Sequence, residues 1–313
     1  MKELTNKKLA FLFQGFRSEY KNLLELLDEK QLEELNNHSL IVDNEIGVNL
    51  SDYLFDSNNI KYDKYDRVFY DWIAGYTSDC IVYHTYIDFG IRPHIMLGYS
   101  MGLITALVCG NSISFETGLQ MLLTIYGYSK RYAGQNEGMG VIIGKNRREV
   151  CKIIAGNSLK DDVYIASENS DTCIVISGIN NSIGKVLKIA EDSGAIKAAL
   201  INSPNAFHSP FAARGIESLV KFAEDMQVCD CEIPVMSVFN QNIIQSAPDL
   251  RKELVINVSG SMKWKDSILK LGDLGVDSFV EVSPDDSLTK MSRIINIDYD
   301  FVTYKKFLRL KNN

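Results

Sequence analysis

The stretch "HIMLGYSMGLITALVCG" (94–110) contains Gly98-Tyr99-Ser100-Met101-Gly102, a serine with a glycine two residues away on each side. A serine hydroxyl so placed can attack a carbonyl carbon and carry an acyl group, provided that a base takes its proton. The glycines let backbone segments pass where a side chain would clash. A helix starting at Met101 would aim N–H groups at a developing oxyanion. Four histidines are available as the base. His38 ends an acidic, polar helical stretch and reads as solvated surface. His84 falls in an apolar aromatic run and reads as packed. His94 precedes the strand, at the wrong end to reach Ser100. His208, in "NSPNAFHSPF", lies in a turn-rich segment that can return to the serine. Elimination leaves Ser100 and His208. No aspartate is positioned by sequence as a third member, which leaves open a dyad oriented by a backbone carbonyl.

The same five residues could instead be a simple turn. What favours a nucleophile is context, because G-x-S-x-G chemistry needs a buried strand before the serine and a helix after it. "HIMLGYS" reads as such a strand and "MGLITALVCG" as a small-residue-rich apolar helix ending at Gly110. Upstream, "KLAFLF" (8–13) is a short buried strand, residues 18–38 have helical spacing, and residues 63–90 read as helix. Residues 114–133 read as another helix, with Ser114 as its N-cap. From 137 to 205 the order strand, helix, strand, strand, helix, strand is the ferredoxin-like pattern. After it come a helix near 210–227, a strand "PVMSVF" (234–239), a helix near 262–274 and a strand "SFVEVSP" (278–284). The expected architecture is α/β. An α/β-hydrolase-like core with a short parallel sheet (1–136 and 206–313) carries an inserted ferredoxin-like subdomain (137–205).

Bulk composition narrows the function classes. The 313 residues are 46% hydrophobic and 23% charged, as in ordinary globular chains, with a net charge of −7. No basic stripe stands out, so no nucleic-acid partner is expected. The apolar run near the N-terminus, "LAFLF", is too short for a signal sequence or a membrane span, so the expected location is the cytoplasm and no membrane is involved. The six cysteines lack zinc-site spacing and read as reduced thiols. No carboxylate–histidine cluster has ligand spacing, and "GMGVIIG" opens a strand rather than a phosphate-binding helix, so neither metal nor cofactor is implied.

Together, the elbow at 98–102, "AFHSPF" at 206–211 and the inserted unit resemble the malonyl-CoA:acyl-carrier-protein transacylases and polyketide-synthase acyltransferases. The likeness covers most of the chain. "LAFLFQGF" falls where that family has a glycine- and glutamine-rich loop. "NSDTCIVISG" (169–178), "VSGSMKWKDSI" (258–268) and "FVEVSPDD" (279–286) fall at further family segments. The resemblance implies ping-pong acyl transfer with Ser100 as nucleophile and His208 as base. The oxyanion would be held by backbone N–H groups of Met101 and Phe16, and the histidine oriented by the backbone carbonyl of Asn257. Tyr99, Ile125, Tyr126 and Phe207 fall at its acyl pocket. The pantetheine arm of an acyl carrier protein or acyl-CoA would enter between core and insertion, where Asn169 and Asn240 are candidate lining residues. A monomer is expected.

Three departures stand out. Tyr99 replaces the family's usual histidine beside the nucleophile, and "FQGFRS" replaces Pro-Gly-Gln-Gly, so Phe16 stands for a glutamine. Most informative, the arginine that pairs with a malonyl carboxylate falls at Ile125, with Tyr126 beside it. The nearest arginine is Arg131, six residues on. A carboxylate facing Ile125 would lack its bidentate partner. An uncharged chain there would gain about 0.8 kcal/mol per buried CH₂. Neutral acyl groups are therefore expected as cargo. Family members lacking that arginine look like the acyl hydrolases of trans-acyltransferase polyketide assembly lines, so hydrolysis of neutral acyl groups from carrier proteins is the leading expectation. Acyl-CoA:acyl-carrier-protein transfer is the close alternative, and a non-catalytic carrier-docking module is the third.

Overall fold

The computed structural model describes residues 2–15, 24–55, 62, 64–132, 134, 136–203 and 205–311. Among them ten strands form two sheets. Strands β1 (Leu9–Phe13) and β2 (Ile95–Gly98) begin the first. The second is made of β3 (Glu137–Ile143), β4 (Val163–Ser170), β5 (Cys173–Ile179) and β6 (Lys197–Ile201). The chain then returns to the first sheet with β7 (Val235–Met236), β8 (Ile243–Ile244), β9 (Ser278–Val282) and β10 (Asp300–Val302).

The first sheet has the order β10-β9-β1-β2-β7-β8, parallel throughout except for the antiparallel β7–β8 pair. Strand β1 lies near its centre and is buried along its whole length. Its side chains alternate between two cores. Leu9, Phe11 and Phe13 join the larger core with helix Arg67–Asp88, while Ala10 and Leu12 join the one built around Trp264. A strand covered on both faces reads as a continuous apolar run, as "LAFLF" does. In register, Phe13 lies beside Gly98 on one side and Val282 on the other. The carboxyl ends of β9, β1 and β2 therefore come out together, where open α/β sheets bind ligands.

The second sheet, in the order β4-β5-β3-β6, is fully antiparallel. This is the ferredoxin-like order, with helices Arg147–Gly156 and Asn180–Asp192 packed in one apolar cluster with Ile142, Ile174 and Ile176. The two sheets meet where Met262 exchanges backbone hydrogen bonds with Ala166 (2.8 Å) and Glu168 (3.0 Å) on β4.

Local chemistry moved several boundaries. Residues 18–23 lie outside the described residues. The helix expected over 18–38 runs instead from Glu29 to Ile46, because Asp28 and Gln31 form a capping box and Gly47, at φ 67°, ends it. The strand expected at 234–239 is only Val235–Met236. Beyond it, the Ser237 hydroxyl accepts from the N–H groups of Phe239 (3.1 Å) and Asn240 (3.4 Å), which turns the chain. The helix expected near 210–227 is broken by Gly215 at φ 71° into a short 3-10 turn and Glu217–Asp225. Ser114 caps its helix as expected, accepting from Thr117 N–H at 3.1 Å. None of the described helices is long and apolar enough to cross a membrane.

Candidate active site

Ser100 sits between β2 and helix Gly102–Cys109 with φ 53°, in the left-handed region that L-residues avoid. The turn is this sharp because both flanking glycines are needed. A Cβ on Gly98 would overlap the backbone of Leu103, and one on Gly102 would overlap the carbonyl of Phe13. Helix N–H groups of Gly102 and Leu103 bond back to Tyr99 and Ser100 carbonyls at 3.0 Å. The Met101 N–H, one residue earlier, has no acceptor among the described residues. It is the free donor expected at a helix start.

The Ser100 hydroxyl and His208 Nε2 are 2.8 Å apart. On the other side of the ring, Nδ1 lies 3.0 Å from the carbonyl oxygen of Gly260. A carbonyl only accepts, so Nδ1 carries the proton and Nε2 is left to accept from the serine. His208 itself has φ 58° and is 3% exposed. Burial pushes its pKa from 6.5 down to about 4, outweighing the hydrogen bond to Gly260, which raises it. At neutral pH the imidazole is therefore a free base.

The carbonyl that orients the ring corrects an expectation. It belongs to Gly260, three residues beyond Asn257. Helix Ala247–Ser259 ends there, and the last carbonyls of a helix lack internal partners. Val258 O accepts from His208 N–H at 2.9 Å and Gly260 O from the ring. The Asn257 side chain has another partner: its Nδ2 donates to Ser100 O at 2.9 Å. A backbone acceptor leaves no signature in residue type, which is why Gly260 was missed.

The other candidates divide. The Tyr99 hydroxyl donates to Asn169 Oδ1 at 3.1 Å and its ring meets Trp264 edge-on, so both Tyr99 and buried Asn169 lie between core and second sheet. Asn240 is not brought into this group. It is exposed, and its Oδ1 accepts from Asn242 N–H at 2.9 Å within the turn between β7 and β8. Phe207 packs beside Trp72, with ring centroids 6.4 Å apart, and Trp72 meets Tyr126 at 6.1 Å. Trp72 thus joins two candidate pocket residues and was missed, because a tryptophan on an apolar helix reads as core. Ile125 is 2% exposed in the large core, and Tyr126 accepts from Asp66 N–H at 3.2 Å. Phe16 lies outside the described residues. Of the other histidines, His84 corrects its reading as packed: it is exposed and pairs with Glu34. His38 is half-buried against Phe115, and His94 accepts from Leu9 N–H at the far end of β2.

The family model for the acyl transferase domain matches residues 36–293, most of the chain and both members of the pair. The chain belongs to the acyl transferase domain family. Relatives of this acyltransferase include the malonyl CoA-acyl carrier protein transacylase of Synechocystis sp., 28% identical over 70% of this chain and 72% of that protein. A second is the polyketide biosynthesis malonyl CoA-acyl carrier protein transacylase PksC of Bacillus subtilis, 30% identical over 67% and 72%. The solved malonyl CoA-acyl carrier protein transacylase of Coxiella burnetii superposes with a TM-score of 0.86 at 22% identity, covering 97% and 96% of the two chains. The fold is that of these transacylases, and the acyltransferase is a member of an enzyme family.

Proposed function

We propose that this acyltransferase moves an uncharged acyl group from an acyl-CoA thioester to the thiol of an acyl carrier protein through an acyl-Ser100 ester. The observation that carries the reading is the 2.8 Å contact of Ser100 Oγ with His208 Nε2, on a ring whose other nitrogen is committed to Gly260 O. In the first half, Nε2 takes the hydroxyl proton as Oγ attacks the thioester carbonyl. The tetrahedral oxyanion forms near the Met101 N–H, and a donor of this kind contributes about 3–4 kcal/mol. The second N–H expected there is that of Phe16. Collapse breaks the C–S bond, and the proton on Nε2 goes to the departing thiolate. In the second half His208 deprotonates the carrier thiol, which attacks the ester; Ser100 leaves with the proton.

Transfer, rather than the hydrolysis expected first, is the better-supported outcome because the relatives are named as transacylases. Their names also include malonyl-CoA, and the acyl group is where this reading departs from them. Ile125 is buried among apolar side chains, and Arg131 is exposed and stacks over Tyr132. A malonyl carboxylate would thus meet no cation from this helix position. The experiment supplies acetyl-, butyryl- and malonyl-CoA in turn with holo acyl carrier protein and follows carrier mass and free acid. The reading expects acetyl or butyryl carrier as main product. Preferential malonyl loading overturns the acyl assignment, and free acid formed in the presence of the carrier overturns transfer.

A further inference from the structure

The end of β1 is the wall against which the serine turn is held. Phe13 O accepts from Tyr99 N–H at 2.8 Å. A Cβ placed on Gly15 would lie 3.2 Å from Tyr99 O and 3.5 Å from Ser100 Cβ. Gly102 packs more tightly still on the carbonyls of Phe13 and Gln14. Any shift of Phe13–Gly15 is therefore passed to Ser100.

Gln14 ties this segment down from behind. It is 2% exposed, and its side chain points away from the serine into the loop that follows β9. With the amide nitrogen toward Asp285 Oδ1 (2.9 Å) and Ser287 Oγ (2.8 Å), its oxygen accepts from the Ser283 hydroxyl. Phe13 faces the large core and Gly15 has no side chain, so in Phe13–Gly15 only Gln14 reaches that loop.

Behind the loop lies Asp79, fully buried on helix Arg67–Asp88, with neither carboxyl oxygen hydrogen-bonded among the described residues. Burial first, then the charge of Asp285, holds its pKa well above the ordinary range. Glu281, also buried, accepts from Leu288 N–H (2.8 Å) and Thr289 N–H (2.9 Å), and burial raises it to about 8. Of these three acids, Asp285 is the one to which the Gln14 amide supplies a donor.

We propose that Gln14 is a positioning residue, whose hold on Ser283, Asp285 and Ser287 fixes Gly15 and so the attack geometry of Ser100. The proposal rests on Ser100 being the acyl carrier. Gln14 lies on the side away from the reacting group, so its loss acts on the rate of acylation and not on binding. Gln14→Glu sets a carboxylate against Asp285. Lowering the pH protonates it and restores a donor, an effect that a general loss of packing does not produce.

The test is single-turnover acylation by butyryl-CoA, followed by intact mass in rapid-quench samples, with thermal melts in parallel. Gln14→Ala is expected to lower the acylation rate constant about 10- to 100-fold, as misplacement near 1 Å does, with half-saturation changed less than about twofold. Gln14→Glu is expected to lose more, relative to wild type, at pH 8 than at pH 5.5. Ser287→Ala, at a half-buried site, keeps the test open if Gln14→Ala does not fold, and is expected to lower the rate a few-fold with an unchanged melt. Wild-type acylation rates in Gln14→Ala, or a Gln14→Glu defect that ignores pH, overturn the proposal. A wild-type chain that acylates from neither butyryl-CoA nor malonyl-CoA overturns the Ser100 reading instead.

Discussion

The side-chain amide of Asn257 donates to the main-chain carbonyl of Ser100 at 2.9 Å. This one bond connects Ser100 to the helix whose end holds His208. The helix that carries Asn257 also ends in the carbonyls of Val258 and Gly260, which hold the backbone and ring of His208. Serine and histidine, 108 positions apart in the chain, are thus both referred to the same helix end.

Asn257→Ala removes that reference. Asn257 is buried, so the Ser100 carbonyl loses its donor without a ready replacement, and unfolding free energy is expected to fall by about 1–2 kcal/mol. Asn257→Asp sets an acceptor against an acceptor and is expected to cost at least as much at neutral pH. Urea melts of both variants check this; an alanine variant as stable as wild type contradicts it.

Ser100 stores strain. The left-handed conformation costs an L-residue about 1–2 kcal/mol, and glycine avoids it. Ser100→Gly and Ser100→Ala both lose the hydroxyl, so their difference isolates the backbone. The glycine variant is expected to be more stable than the alanine variant by about 1 kcal/mol, and neither forms an acyl-enzyme. Equal melts would show that the φ of 53° carries no strain.

The buried imidazole has a pH signature. Its folded pKa near 4 lies below its unfolded value of 6.5. Between these values the unfolded chain binds more protons, so this group's contribution to stability is full above pH 6.5 and is lost as pH falls toward 4. Melts of wild type and His208→Gln from pH 4 to 7 should converge as pH falls. The acid limb of kcat/KM should likewise lie nearer 4 than 6.5. A limb at 6.5 means that the ring is hydrated and the dyad is open to water.

Ile125→Arg tests the apolar wall. Placing a guanidinium in the large core, at a site 2% exposed, is expected to destabilise by about 3–5 kcal/mol. No gain in malonyl loading should accompany it. A stable variant that loads malonyl faster than wild type would mean that the surroundings of position 125 accept charge.

Legibility in the sequence followed chemistry that side chains express. The contact between Ser100 and His208 was legible because glycines, a buried strand and a process of elimination all left marks in residue type. The ferredoxin-like unit was visible because its strands alternate and its helices carry apolar stripes. What depends on backbone was not visible: Gly260 acts through a carbonyl that every residue has. Gln14 is another such case, since only the strand register sets Gln14 beside Ser283. Asn240, by contrast, has the sequence marks of a cleft residue, but its side chain closes a turn that its Asn-x-Asn spacing permits.

The most direct measurement is the site and identity of the acyl adduct. Purified protein is incubated briefly with butyryl-CoA, quenched in acid, digested, and sequenced by tandem mass spectrometry. A butyryl ester is expected on Ser100 in wild type, absent from Ser100→Ala and strongly reduced in His208→Ala. An adduct on any other residue, or none while thioester is consumed, contradicts Ser100 as the acyl carrier.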